Sequence, residues 1–151
     1  MRYLGIDFGK KRVGLALSDE AGEFALPYDV LPNTYHLLDE IIAICENESV
    51  GAVVLGESRN FKGKPNAVMK DALAFKDALE VALGKLSERT GRDIDIGIPV
   101  HLEPEFMTSA EAQHVQTELG GTSKGLDASA AALILKSYLD KKSHLEKVSD
   151  K

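Results

Sequence analysis

The stretch Tyr3-Leu4-Gly5-Ile6-Asp7-Phe8-Gly9-Lys10-Lys11-Arg12-Val13-Gly14-Leu15-Ala16-Leu17-Ser18 decides the fold. An apolar run ends in a single carboxylate, a tight turn carries Gly9 and three cations, and a second apolar run leads back. Two such runs around a short glycine-bearing turn predict a β-hairpin whose first strand is buried. Asp7 is the anomaly within it, because a carboxylate at the end of a core strand is costly to desolvate unless it meets a cation, a donor set or a metal. Two readings stay open from this stretch alone. Asp7 either accepts hydrogen bonds from the turn amides or pairs with Lys10 or Arg12, or else it serves a metal or phosphate.

Beyond the hairpin, Phe24, Leu26, Tyr28 and Val30 alternate within Glu23 to Val30, which predicts a third antiparallel strand, with Pro27 suited to an edge or a bulge. From Tyr35 to Glu48, Leu37, Leu38, Ile41, Ile42 and Cys45 recur at helical spacing, with Asn33 or Thr34 as the expected N-cap. Val50 to Gly56 has no polar residue and reads as a strand covered on both faces, parallel to a neighbour. A polar loop from Glu57 to Lys64 follows, at the strand end where α/β sheets bind ligands. A long helix after Pro65 is expected to end near Gly91, and a fifth strand to run from Ile94 to Val100, with His101 to Glu105 at its end. Thr108-Ser109-Ala110-Glu111 has the form of a capping box for a helix to about Leu119. Gly120 to Gly125 has loop composition, and Leu126-Asp127 leads into a last helix. Residues 1–140 thus form one expected domain, and residues 141–151 a charged tail expected to fray.

Three strands, a helix, a strand, a helix, a strand and two helices describe an α/β chain. The expected sheet is mixed and five-stranded, antiparallel first and then parallel, with helices on both faces, which is the order of the ribonuclease H-like architecture. Fold class alone does not fix function.

Composition narrows the classes. The 151 residues are 44% hydrophobic and 28% charged, as in a globular domain with a real core. No stretch has signal-peptide flanks or approaches the roughly 20 apolar residues of a membrane span, so no membrane role and a cytoplasmic location are expected. Cys45 is the lone cysteine and falls on the apolar face of a helix, which excludes an internal disulfide and points to a buried structural thiol. A net charge of -6 argues against broad nucleic-acid binding. The cations nevertheless gather in turns, with Lys10, Lys11 and Arg12 in one, Arg59, Lys62 and Lys64 in another and Lys124 in a third.

Four carboxylates recur where this architecture would bring them together: Asp7 after strand one, Glu57 after strand four, Glu105 after strand five and Asp127 at the start of the last helix. Oxygen donors on separate rigid elements can hold Mg²⁺ or Mn²⁺, and two such ions about 4 Å apart would activate water and neutralise the leaving oxygen of a phosphodiester. Each acid also has a structural reading. Asp127 could be only a helix N-cap, Glu105 a solvated loop residue, Glu57 a partner of Arg59, and Ser129 a first-turn residue without chemistry.

Four stretches in this order resemble the YqgF/RuvX family, the Holliday junction resolvase-like proteins also described as pre-16S rRNA nucleases, over nearly the whole chain. They are Gly5-Ile6-Asp7-Phe8-Gly9 with Arg12 to Ala16; Val53-Val54-Leu55-Gly56 with Asn60-Phe61-Lys62-Gly63; Glu105 to Ala112; and Lys124-Gly125-Leu126-Asp127-Ala128-Ser129-Ala130-Ala131. The resemblance maps the family's catalytic acids onto Asp7, Glu105 and Asp127. In the third stretch Pro104 and Phe106 replace the family's flanking Asp and Arg, so a register shift would select Glu103 instead of Glu105. Gly56-Glu57-Ser58 stands where the family has Gly-Leu-Pro, and Glu57 falls where related junction resolvases carry a metal ligand.

The resemblance implies a Mg²⁺- or Mn²⁺-dependent endonuclease acting on structured RNA, in 5′-end maturation of 16S ribosomal RNA. Lys10, Arg12, Arg59, Asn60, Lys62, Lys64, Lys124 and Ser129 would contact nucleic acid. The close alternative is a DNA junction resolvase, which must cut two strands and is expected to be a dimer where the RNA enzyme could be a monomer. An actin-like or sugar-kinase-like nucleotide-binding domain would need a second similar domain, for which this length leaves no room. A catalytically silent RNA-binding or ribosome-assembly factor would keep the acids as structural groups.

Overall fold

The computed structural model describes residues 1–58, 67–90, 98–105 and 123–149. Its elements are β1 (Arg2–Phe8), β2 (Arg12–Ser18), β3 (Ala25–Pro32), α1 (Leu37–Asn47), β4 (Val50–Ser58), α2 (Ala67–Thr90), β5 (Val100–Glu105) and α3 (Ser123–Ser149). The strands form a five-stranded sheet in the order β3-β2-β1-β4-β5. β1 pairs antiparallel with β2 and parallel with β4, β2 pairs antiparallel with β3, and β4 pairs parallel with β5. The mixed α/β sheet expected from the sequence is the one observed.

Alternation along the strands assigns two cores. Leu4, Ile6, Val13, Leu15, Val53 and Leu55 face one side, where Leu37, Ile41 and Cys45 of α1 and Leu79 and Leu83 of α2 close over them. Tyr3, Ala16, Ala52 and Val54 face the other side and pack under Ala131, Ile134, Leu135 and Leu139 of α3. A sheet buried on both faces explains why β1 and β4 read as continuous apolar runs.

The opening hairpin turns at Gly9, where a Cβ would lie 2.4 Å from the Arg12 carbonyl oxygen, so no side chain fits. Asn33 holds this turn against the end of β3, donating from Nδ2 to the Gly9 carbonyl at 2.7 Å and from its backbone to that of Lys11 at 2.9 Å. Asn33 is therefore not the helix cap. α1 starts after His36, which makes no side-chain capping bond, while Thr34 Oγ1 accepts from the His36 amide. Pro27 does sit on an edge strand beside a bulge, since Leu15 pairs with Asp29 but Ala16 with Pro27.

Three strand boundaries and both ends of the last helix differ from expectation. β3 is shifted two residues on from Glu23–Val30, and β4 continues through Glu57 to Ser58. β5 begins only at Val100, so His101 to Glu105 are strand residues and not a following loop. The reason is packing, because His101 and Glu103 find polar and aromatic partners on α3 that an apolar-run argument does not count. α3 begins at Ser123, inside the stretch of loop composition, and runs to Ser149 through the residues expected to fray. Lys141 bonds Glu103 and Lys142 bonds the Tyr3 hydroxyl, which ties that part of the helix to the sheet. The helix expected after Thr108 lies outside the described residues.

Candidate active site

Asp7 lies one residue past Ile6 on β1 and so faces the α3 side of the sheet, two positions beyond Gly5. Its antiparallel partner is Gly14, and one step on from the Ile6–Leu55 pair it comes level with Gly56 of β4. Both neighbours lack side chains. Neither flanking strand therefore carries a side chain level with Asp7. Lys10, Lys11 and Arg12 are exposed in the turn that follows, forming a cationic rim beside the end of β1.

α3 crosses this face with its N-terminal end toward the carboxyl end of β1. Tyr3 packs on Tyr138 with ring centroids 5.9 Å apart, and Lys142 lies over the Tyr3 ring. Further along β1, a Cβ on Gly5 would lie 2.8 Å from Leu135 Cβ and 3.0 Å from the Ala131 carbonyl oxygen, so helix and strand touch there. Asp127 and Ala128 lie one turn from Ala131 toward the helix N-terminus. Because α3 begins at Ser123, Asp127 lies inside the helix, and the N-cap reading of it fails. The side chains of Asp127 and Lys124 lie outside the described residues.

Ser129, two residues on, is fully buried, and its hydroxyl has no hydrogen-bond partner among the described residues. Burial closes it to direct contact with nucleic acid, contrary to expectation. An orphaned buried hydroxyl costs about 1–3 kcal/mol and calls for a reason.

Glu103 and Glu105 occupy one face of β5, the α3 face, by strand alternation. Glu103 pairs with Gly56, in the row that contains Asp7, and is 3% exposed. Its Oε1 accepts from Ser137 Oγ at 2.9 Å and from Lys141 Nζ. Glu103 is thus occupied in anchoring α3 to the edge of the sheet. Glu105 pairs with Ser58 one strand repeat further out, at the carboxyl end where Asp7 lies; its side chain is outside the described residues. Glu57 alternates with Leu55 and so belongs to the α1 and α2 face, opposite Asp7. The structure does not bring Glu57 to the other acids.

Arg59, Asn60, Lys62 and Lys64 lie outside the described residues. Among the described side chains, no group of three metal-ligating residues forms. Two features were invisible to sequence reasoning. Glu103 carried a signal only in its i, i+4 partners Ser137 and Lys141, whose distance in sequence hid the contact. The contact role of Gly5 had no signal beyond the glycine itself. Cys45 is buried as expected, and burial pushes its thiol up to about 12. Tyr138, stacked on His101 at 5.3 Å, has its phenol pushed above the usual value, chiefly by burial. No helix among the described residues is long and apolar enough to cross a membrane.

Solved structures share this architecture. The chain is similar to Thermus thermophilus RuvC in complex with a Holliday junction substrate, with a TM-score of 0.56 at 15% identity, covering 95% of this chain and 96% of that one. It is also similar to the fowlpox virus Holliday junction resolvase, with a TM-score of 0.52 at 15% identity, covering 93% and 99%. The fold is therefore the ribonuclease H-like fold of junction resolvases. In sequence, the chain is 35% identical over 145 residues to a candidate pre-16S rRNA nuclease of Maridesulfovibrio salexigens, covering 92% of this chain and 98% of that protein. A protein of the same description from Anaeromyxobacter is 34% identical over 146 residues, covering 93% and 97%. Residues 1–141 match the family RuvX, described as Holliday junction resolvase, and the chain belongs to that family. It is a nuclease.

Proposed function

We propose that this chain is a cytoplasmic, divalent-metal-dependent endonuclease that hydrolyses phosphodiester bonds of structured RNA, in 5′-end maturation of the 16S ribosomal RNA precursor. What supports the reading is that Asp7 stands, by strand register, on the sheet face that α3 covers, the face shared by alternate positions of β5 up to its Glu105 end. Relatives named for the pre-16S precursor support the RNA substrate.

The residues present fit Mg²⁺ or Mn²⁺. The donors are hard carboxylate oxygens carried by three separate elements, the donor type that these ions take. Asp7, Glu105 and Asp127 would hold the metal, with Glu103 excluded by its bonds to Ser137 and Lys141 and Glu57 by its face of the sheet. When bound, the metal would supply an activated water and neutralise charge on the scissile phosphate. The chain itself contributes position. Its sheet fixes Asp7 between two glycines, which lets a phosphate approach, and Lys10 and Arg12 at the rim would hold neighbouring phosphates without reading sequence. Arg59, Asn60, Lys62, Lys64 and Lys124 would extend that contact, and residues 1–140 would act as one domain.

A second reading, cleavage of branched DNA, is favoured by the family's description and by the fold shared with RuvC. Cleavage of a labelled ribosomal precursor beside a four-way DNA junction, with and without Mn²⁺, separates the two. The RNA reading expects Mn²⁺-dependent cleavage of the precursor that Asp7→Asn abolishes. Cleavage of the junction alone would overturn it in favour of DNA, and equal activity in Asp7→Asn would overturn both.

A further inference from the structure

The charge of this protein is divided by region. Between Arg12 and Arg59 the chain carries nine carboxylates and no lysine or arginine. That stretch contains β3, one edge strand of the sheet, and α1, whose C-terminal Glu48 meets Tyr28 of β3. Within it, Phe24, Leu26 and Tyr28 are 65%, 63% and 42% exposed, at alternate positions. Leu26 pairs with Leu17, which packs on the core under α1 and α2, so Leu26 belongs to that face of the sheet. The Tyr28 hydroxyl donates to Glu48 Oε1 at 3.3 Å, at the carboxyl end of α1. An apolar strip therefore runs along β3 beside α1, bordered by Glu23 and Glu48. Arg2 reaches in to bond Glu48 and Glu20, which leaves the surroundings acidic on balance.

We infer that this strip is a docking surface for a cationic amphipathic helix of another protein. Charge selects the occupant. Nucleic acid is disfavoured by a region whose carboxylates outnumber its cations, Arg2 and the N-terminal ammonium, and a second copy in a two-fold arrangement would set one acidic border against another. A cationic segment with one apolar face meets both the exposed side chains and the carboxylates around them. The bulge at Tyr28, with Pro27 and Pro32, unsuits the free edge of β3 for another strand, so the partner lies on the sheet face alongside α1. This face is opposite the one that carries Asp7. Docking would leave the Asp7 side of the sheet uncovered by the partner, and the nuclease could be held at a substrate already coated by basic protein.

The test is fluorescence anisotropy of a labelled Leu–Lys amphipathic peptide of about five helical turns, titrated with the full chain. Saturable binding is expected, weakened about tenfold or more by Phe24→Ser combined with Leu26→Ser. Glu23→Lys should weaken it as well, while Tyr35→Ser, at an 89% exposed tyrosine off the strip, should not. The substituted side chains on the strip are exposed, so an unchanged unfolding midpoint and unchanged nuclease activity certify the fold. Binding unaltered by the strip substitutions would overturn the inference, since the peptide would then be adhering to acidic surface at large. A dimer in sedimentation that Leu26→Ser converts to monomer would also overturn it, by making the strip a contact between copies.

Discussion

Replacing Gly5 with alanine tests how α3 is held over β1. The new Cβ would stand 2.8 Å from Leu135 Cβ and 3.0 Å from the Ala131 carbonyl oxygen. Carbon atoms pack at about 3.5–4.0 Å, so relief requires a displacement approaching ~1 Å. Neither obstacle is the loose end of a side chain, since one is fixed to the helix backbone and the other belongs to it. The helix as a whole must therefore give. Overpacking of this kind costs about 1–3 kcal/mol, offset by up to about 1 kcal/mol from the lower chain entropy of alanine in the unfolded state. Mid-range values leave a net loss of about 1.5 kcal/mol, which at about 3 °C per kcal/mol for a chain of this size lowers the unfolding midpoint by roughly 4–5 °C. Activity should fall further than the folded fraction, because a shift of about 1 Å in a catalytic group costs up to about 10²-fold. Thermal unfolding, with cleavage assayed well below both midpoints, measures the two effects separately. A variant with the parent midpoint would refute the contact, and one destabilised but fully active would refute the link from Gly5 to the acids. Gly84 of α2 supplies the contrast: nothing lies within 4 Å of its Cβ position, and Gly84→Ala should stabilise the helix by about 0.5–1 kcal/mol.

Two further outcomes follow from single side chains. Glu103→Gln should destabilise by about 1–2 kcal/mol in urea unfolding, a figure reduced because Lys141 is 59% exposed, and should leave Mn²⁺ affinity unchanged. A loss of Mn²⁺ affinity in Glu103→Gln that Glu105→Gln does not show would reverse the choice between those acids. Burial raises the Cys45 thiol to about 12 from a usual 9.0, so its proton is held more tightly in the folded chain. That contribution is complete below pH 9 and is lost as pH rises toward 12, at up to about 1.4 kcal/mol per pH unit. Urea unfolding across that window should show a decline that Cys45→Ala lessens; parallel declines in the two proteins would contradict it.

The sheet was legible because its strands are buried on two faces, which writes them as apolar runs, and because the glycine and cations of the first turn punctuate a hairpin. Strand ends were less legible. Glu57 and Glu103 look like loop residues, since local reading assigns polar side chains to connections, yet β4 and β5 extend through them. Glu103 is satisfied by Ser137 and Lys141, 34 and 38 residues away, and no local pattern records such a pairing. Helix α3 begins earlier than its composition suggests and includes Gly125 despite that residue's low helix propensity. For the site, strand alternation was the informative quantity. It separates Asp7 from Glu57 across the sheet, a division that needed the true registers and not only the order of elements.

The central claim is that acids distant in sequence share a divalent ion, and direct titration of Mn²⁺ followed by electron paramagnetic resonance tests it without a nucleic-acid substrate. The wild-type chain should bind Mn²⁺, Asp7→Asn and Asp127→Asn should each weaken binding by about tenfold or more, and Glu57→Gln should not. Asp7→Asn binding Mn²⁺ as tightly as the wild type would contradict the account.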